Sequence, residues 1–112
     1  MRVEMRHCRS YTTRWYSGIM IRTWGNKLAE QIAAGRRPKG FPADLVIRAA
    51  AKLVLIDTAT ELDHLRLPPG NRLEALSGGR SQQHSIRIND QWRVCFRWQD
   101  GDAFDVEIVD DH

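Results

Sequence analysis

Arginine side chains mark the part of this sequence that could do chemistry. Residues 66–97 contain six arginines and no lysine, against two acidic residues. A guanidinium stays protonated and offers a planar set of donors that matches phosphate oxygens. Such a cluster suits binding of a nucleic-acid backbone. It could also stabilise a phosphate that gains negative charge in a transition state.

The alternation of apolar residues predicts where these arginines point. Every second residue from Trp92 to Trp98 is apolar, so Arg93 and Arg97 face away from the apolar side of that strand. The same alternation turns Arg87 away from the apolar residues of the preceding strand. Three guanidiniums on neighbouring strands would then line one surface of an antiparallel sheet.

Ion pairing is the alternative explanation for this cluster. Residues 98–112 contain six acidic and no basic residues, and Asp105 and Glu107 would lie where they could pair with Arg93 and Arg97. We prefer this pairing for Arg97. For Arg87 and Arg93 the residues alone leave both interpretations open, since surface ion pairs are common and weak.

Candidate acids and bases are few. Glu74 lies between Arg72 and Arg80, where it could act as a base or serve as their counter-ion. His112 could be a general acid or base because imidazole titrates near neutrality, although a terminal residue is usually frayed. His84 shares the apolar face of its strand and is interpreted as a histidine at the core edge.

Composition limits the class of protein. A chain of 112 residues, 42% apolar and 28% charged, predicts one soluble domain with a modest core and without a membrane span. Two cysteines, Cys8 and Cys95, make neither a disulfide framework nor a zinc module, and a reduced cytosolic setting follows.

The positive net charge belongs to the first nineteen residues. Residues 1–19 carry a net charge of +3, whereas the charges from Met20 onward cancel. The segment is basic and aromatic, and lacks the continuous apolar stretch of a signal peptide. We therefore predict an N-terminal extension over residues 1–19 and a single domain over residues 20–112.

Two helices are predicted before the arginine-rich strands. Asn26 is placed to cap a helix over Lys27–Ala34, and Gly35 follows its end. A second helix begins at Pro42, and its buried face is predicted from the spacing of Leu45, Ala49, Leu53 and Ile56. Packing accounts for both helices, and nothing on them demands chemistry.

Shorter patterns complete the helical half. Thr58 and Glu61 form a capping-box pattern that predicts an extra turn through Leu65. Ahead of the helices, Ile21–Trp24 is a β-favouring run that predicts a first strand.

After the loop predicted at Pro68–Asn71, the apolar period changes to two. Strands are predicted within residues 72–76, 84–88, 92–98 and 104–109, the last with Phe104, Val106 and Ile108 on one face. Turns are predicted at Gly78-Gly79, Asn89–Gln91 and Asp100-Gly101. Helices packed on a mostly antiparallel sheet of four to five strands make a small α+β fold.

Three stretches of this half resemble the HigB-type killer toxins of the RelE/ParE superfamily of bacterial toxin–antitoxin modules. The stretches are Pro68–Leu76, Ser85–Phe96 and Asp105–Asp110, and the resemblance extends over about residues 20–112. It implies a RelE-like, microbial-ribonuclease-like α+β fold and cleavage of messenger RNA on the ribosome. It also implies neutralisation by a HigA-type helix-turn-helix antitoxin, through which alone operator DNA is bound.

The resemblance implies a cytoplasmic enzyme without metal or other cofactor. Side chains would then catalyse attack of a ribose 2′-OH on the adjacent phosphate. By position, Arg87 and Arg93 would hold the scissile phosphate, and His112 would be the acid with Asp110 or Glu74 as base. The arginines implied to position the RNA are Arg72, Arg80 and Arg97.

Two departures from the family pattern leave other functions open. The usual Asp-Tyr-His ending has Asp111 in place of tyrosine, which removes a base-stacking ring worth about 1–3 kcal/mol. Some members carry histidine where Glu74 stands. A weak or inactive module that binds antitoxin or RNA is therefore one alternative. A ParE-like gyrase poison, which shares the fold and not the RNA chemistry, is a second alternative, independent of these departures.

Overall fold

The computed structural model of the chain describes residue 21 and residues 23–76 and 82–110. Within these residues two helices, α1 (Lys27–Ala33) and α2 (Val46–Thr58), precede four strands. The strands are β1 (Glu74–Ala75), β2 (Gln83–Arg87), β3 (Trp92–Gln99) and β4 (Asp102–Asp110). They form one antiparallel sheet in the order β1-β2-β3-β4. The predicted α+β architecture with an antiparallel meander is confirmed.

Helix α1 begins where the sequence predicts. The side-chain oxygen of Asn26 accepts a hydrogen bond from the amide of Ala29 at 3.1 Å, which satisfies one of the free donors of the first turn. The helix ends one residue before the predicted boundary, and Gly35 follows with a φ of 84°. Its buried residues are Ala29, Ile32 and Ala33.

The buried face predicted for α2 is confirmed at Ala49, Leu53 and Ile56. The predicted start at Pro42 is wrong, because Ala43–Leu45 forms a 3₁₀ turn with Leu45 half-buried and α2 begins at Val46. The capping box predicted after it is wrong. Thr58 is still the last residue of α2, where its hydroxyl donates back to the carbonyl of Val54 at 2.9 Å, and the residue that precedes the next turn is Glu61. That turn, a 3₁₀ helix over Leu62–Arg66, begins without a side-chain cap.

The core lies between the two helices and one face of the sheet. The sheet contributes alternate residues of its three longer strands, and the residue after β2 continues the row: Ile86, Ile88, Val94, Phe96, Val106 and Ile108. Both helices contact β4, and α1 contacts α2. The opposite face of the sheet, called here the outer face, carries Arg87 and Arg93.

A β-bulge in β4 changes which residues face the core. Cys95 pairs with Glu107 but Arg97 pairs with Phe104, so two residues of β4 oppose one of β3. Asp105 adopts a φ of 52° there. The prediction that Phe104 lies on the core face is wrong: Ala103 is buried instead, and the Phe104 ring lies under the guanidinium of Arg97, 5.4 Å away.

The segment predicted as a first strand forms one parallel bridge, between Trp24 and Val106 of β4. The amide of Val106 donates to the carbonyl of Thr23 at 3.1 Å, and the amide of Gly25 donates to the carbonyl of Val106 at 2.7 Å. A Cβ on Gly25 would lie 2.7 Å from the carbonyl oxygen of Asp105. The close crossing therefore requires glycine at this position.

The first strand of the meander is shorter than predicted, since only Glu74–Ala75 pairs with β2. The 3₁₀ turn Pro69–Asn71 ends at Arg72, whose φ of 48° is left-handed and delays the extended backbone. The predicted turn at Gly78-Gly79 and the predicted extension over residues 1–19 lie outside the described residues. No helix within the described residues is long and apolar enough to span a bilayer.

Candidate nucleic-acid interface

Arg87 and Arg93 are register partners across β2 and β3. Partners in an antiparallel pair point to the same face, so both guanidiniums belong to the outer face. Two like charges placed directly opposite each other destabilise a sheet unless an anion or a counter-ion is present. The structure thus brings together the two arginines expected to hold the phosphate, and their role stays a prediction.

The guanidinium of Arg93 is held in one position by several oxygens. Its Nε and one Nη donate to the hydroxyl of Ser85, at 3.0 and 2.7 Å. The same Nη lies 3.3 Å from the carbonyl oxygen of Arg72 and 3.3 Å from a carboxylate oxygen of Glu74. Ser85 is fully buried and the Arg93 side chain is 13% exposed. A group fixed in this way needs little reorganisation when it binds an anion.

Glu74 lies at the rim of this arrangement. It is the register partner of Ser85 on β1, and its side chain is 58% exposed. The carboxylate therefore contacts Arg93 and remains open to solvent. The predicted role as a base is compatible with that position, and as a counter-ion Glu74 pairs with Arg93, a partner that was not predicted. Arg72 contributes a carbonyl oxygen to the cluster, and its residue is exposed.

The turn between β2 and β3 carries the second arginine. Arg87 forms an ion pair with Asp90, whose side chain is 94% exposed. The turn is closed by Asn89, whose side-chain oxygen accepts from the amides of Gln91 and Trp92 at 2.9 and 2.8 Å. The shortness of this turn and its local hydrogen bonds together fix the register, which places Arg87 opposite Arg93.

Asp110 ends β4 beside the same turn. It pairs with Trp92, and one of its carboxylate oxygens accepts from the side-chain amide of Gln91 at 3.0 Å. The partner of Arg93 is Val109, so alternation assigns Asp110 to the Trp92 face of the sheet. Asp110 therefore belongs to the face of the sheet opposite Arg93, whereas Glu74 contacts Arg93 directly.

Arg97 is engaged at the other end of the outer face. Its Nε donates to the carboxylate of Asp105 at 2.7 Å, which confirms the predicted ion pair. This bond, and a second from the hydroxyl of Thr23, lower the pKa of Asp105 below its ordinary value. The implied RNA-binding role of Arg97 stays a prediction.

The remaining predicted residues divide into two groups. Arg80, Asp111 and His112 lie outside the described residues. His84 packs on Phe96 with ring centroids 6.2 Å apart, and burial lowers its pKa, as expected for a histidine at the core edge. Within the described part of the chain, no three histidine, cysteine, aspartate or glutamate side chains come together as metal ligands.

Sequence reasoning missed two cations on α2. A cleft of about 480 Å³ opens between this helix, the loop at Gly70 and the end of β2. Arg48 lines it and donates to the carbonyl of Ile88 at 3.2 Å; Lys52 lines it and donates to the side-chain oxygen of Asn71. The sequence contained one signal for this pair: Arg48 and Lys52 are four residues apart, so they lie on the same side of the helix, and each precedes a core residue.

The chain is similar to known bacterial toxins. Residues 25–112 match the family described as the RelE-like toxin of type II toxin–antitoxin system HigB. The α+β sheet-and-helix architecture is consistent with that RelE-like class. Because the match extends over most of the chain, this protein belongs to the HigB family of type II toxin–antitoxin toxins.

Two curated relatives illustrate the similarity. The chain is 38% identical over 73 residues to Toxin HigB-1 of Vibrio cholerae, which covers 65% of this chain and 77% of the relative. It is 32% identical over 93 residues to Endoribonuclease HigB of Proteus vulgaris, which covers 83% of this chain and all of the relative. The resemblance inferred from the sequence motifs is thereby confirmed.

Proposed function

We propose that this toxin is an endoribonuclease that cleaves messenger RNA on the translating ribosome and so inhibits translation. The observation that carries the proposal is the pairing of Arg87 with Arg93 on one face of the sheet, with Glu74 in contact with Arg93. Membership of the HigB family and the name of the Proteus vulgaris relative support the same activity.

In the proposed reaction the chain's own side chains do the chemistry, without a metal ion. Arg93, held by Ser85, and Arg87 bind the non-bridging oxygens of the scissile phosphate. The ribose 2′-OH attacks that phosphorus, the P–O bond to the 5′ oxygen breaks, and a 2′,3′-cyclic phosphate and a 5′-OH result. The guanidiniums stabilise the added negative charge of the pentacoordinate transition state.

Two proton transfers accompany this displacement. A base takes the 2′ proton, and we assign this role to Glu74 because its exposed carboxylate adjoins the phosphate-binding guanidinium. Asp110, at the end of β4 beside the turn between β2 and β3, is the second candidate. His112 is proposed as the acid that protonates the leaving 5′ oxygen, on the strength of the family ending. Arg72, Arg80 and Arg97 would position the RNA.

The proposed partners follow from the family. A type II toxin has an antitoxin, and we propose a HigA-type helix-turn-helix protein in that role, with operator DNA bound only through it. The ribosome and its messenger RNA are the proposed targets, and we propose a cytoplasmic location for the same reason.

Mapping of transcript ends tests the proposal. The full chain is induced in cells with and without the adjacent gene, which we expect to encode the antitoxin, alongside Arg93→Gln, Glu74→Gln and the matched charge-loss control Arg36→Gln. We expect new 5′-OH ends within translated transcripts for the wild type and the control. Removal of one donor to developing charge costs about 10²–10³-fold in rate, so the ends should be lost in Arg93→Gln.

Each other outcome points elsewhere. Intact transcripts together with stable antitoxin binding would support the non-catalytic module. Intact transcripts with DNA damage would support the gyrase poison. Equal cleavage by wild type and Arg93→Gln would overturn the assigned site.

A further inference from the structure

The reaction just described uses only one of the residues that line the cleft beside α2, namely Arg87. It is lined from three directions: by the helix, by the loop at Gly70, and by the end of β2 with its turn. Its lining residues are Arg48, Lys52, Gly70, Arg87, Ile88, Asn89 and Asp90. Three of these are cations, and the one carboxylate among them, Asp90, is paired with Arg87. The cleft therefore carries an excess of positive charge.

Arg48 and Lys52 repel each other electrostatically, and a bound anion would relieve this repulsion. They lie four residues apart on α2, where like charges repel. Each donates to a neutral oxygen, of Ile88 and of Asn71 respectively. Burial, and then the nearby Arg48 charge, lower the pKa of Lys52. A bound anion would offset both the repulsion and the loss of hydration.

Arg87 connects this cleft to the catalytic surface. It lines the cleft and is also the register partner of Arg93. A polyanion held at Arg93 would thus have its next charged group within reach of the cleft. A single RNA strand offers such a series of phosphates, separated by one nucleotide each.

We propose that this cleft binds an RNA backbone phosphate that flanks the scissile one, with Arg48 and Lys52 as its binding residues. The proposal rests on the proposed function in one respect, namely that RNA is the ligand of the outer face. It adds a second phosphate subsite, formed by the helix rather than by the sheet.

A flanking subsite has a defined kinetic signature. It contacts substrate and transition state alike, so its loss raises KM and leaves kcat unchanged. Each phosphate contact also contributes about 0.7 to the slope of log K against log salt for a single strand. Loss of charged hydrogen bonds to one phosphate should weaken RNA binding roughly tenfold.

The test uses the full chain and a 2′-O-methyl single-stranded RNA that cannot be cleaved. Wild type, the double variant Arg48→Gln/Lys52→Gln and the control Arg36→Gln are titrated over a range of salt concentrations. We expect the double variant to bind roughly tenfold more weakly, with a slope smaller by about 0.7. The control should match the wild type. Thermal unfolding establishes that the double variant is folded. We expect it to be, because the change removes the repulsion between Arg48 and Lys52.

Other results overturn the subsite. Equal affinity and slope in wild type and double variant would do so, as would a wild type that binds no RNA. A double variant that keeps RNA affinity but loses antitoxin affinity would identify the cleft as a protein contact. A weak response to RNA but a strong one to inorganic phosphate would identify a site for small phosphates.

The two proposals fail in different ways. If transcripts remain intact but RNA binding depends on Arg48 and Lys52, the subsite stands and the cleavage reaction is wrong. If transcripts are cut and the double variant shows unchanged KM on ribosomes, cleavage stands and the subsite is wrong.

Discussion

The buried hydroxyl of Ser85 accepts two hydrogen bonds from the guanidinium of Arg93, at 3.0 Å from Nε and 2.7 Å from Nη. The bonds run between neighbouring strands, from β3 to β2. The orientation of the proposed phosphate-binding group thus depends on a side chain that does not itself reach solvent.

Replacement of Ser85 by alanine should impair cleavage without unfolding the protein. Arg93 would keep its contacts with Glu74 and the carbonyl of Arg72 but lose its anchor. Because small misplacements of a catalytic group are costly, we expect kcat to fall by roughly 10- to 100-fold. Single-turnover cleavage on ribosomes measures this. In an Arg93→Gln background the Ser85→Ala change should have no further effect, and an additive loss would contradict the linkage.

The contacts of Asn26 predict a graded loss of stability. Its side chain caps α1 and also exchanges two hydrogen bonds with the backbone of Ile108 in β4, at 2.9 and 3.3 Å. Asn26→Ala removes all three and should lower the free energy of unfolding by about 2 kcal/mol. Asn26→Asp keeps the acceptor and should lose less. Urea unfolding of the three proteins measures the order, and equal losses would refute it.

Acid should remove the contribution of Asp105 to stability. Its folded-state pKa is lowered, first by the hydrogen bond from Arg97 and then by that from Thr23. The carboxylate therefore stabilises the fold above its ordinary pKa of 3.8, and the contribution is lost as pH falls through the lowered value. Asn tolerates the left-handed backbone at this position, so Asp105→Asn isolates the charge.

The measurement is the difference in melting temperature between wild type and Asp105→Asn as a function of pH. We expect the wild type to melt higher at pH 6 and the difference to shrink towards zero below pH 3.8. A difference independent of pH would show that the carboxylate charge contributes nothing.

A second effect of pH on stability is expected from His84, at higher pH. This side chain favours the folded state in its neutral form, whereas Asp105 does so in its charged form. Burial lowers the pKa of His84 from 6.5, and its Nδ1 is buried without a hydrogen bond to the described residues. Between the lowered value and 6.5 the unfolded chain binds more protons, so stability falls as pH drops through this window. His84→Phe should remove that slope between pH 7.5 and 5.5 in chemical denaturation, and an unchanged slope would contradict the prediction.

Local patterns were sufficient for most of the fold. The cap at Asn26, the period of α2 and the alternation in β2 and β3 each depend on neighbours in the chain. Even the pairing of Arg87 with Arg93 follows from sequence, because the two positions are equally distant from the centre of the turn at Asp90.

Features set by distant contacts could not be predicted. The bulge at Asp105 is stabilised by Thr23, 82 residues earlier, and the apolar alternation through β4 gives no sign of it. The cleft likewise depends on how α2 lies against the end of β2. Arg48 and Lys52 come to line one cleft only through that packing.

The bulge and the crossing at Gly25 also determine whether another chain can add a strand to the edge of the sheet at β4. An uncovered border strand is a template on which another chain can add strands and begin aggregation. Here the amide of Val106 donates to Thr23 and its carbonyl accepts from Gly25. Asp105, the left-handed residue beside it, interrupts the extended backbone of β4. An incoming strand would find only short stretches on either side, which protects this border from open-ended polymer growth.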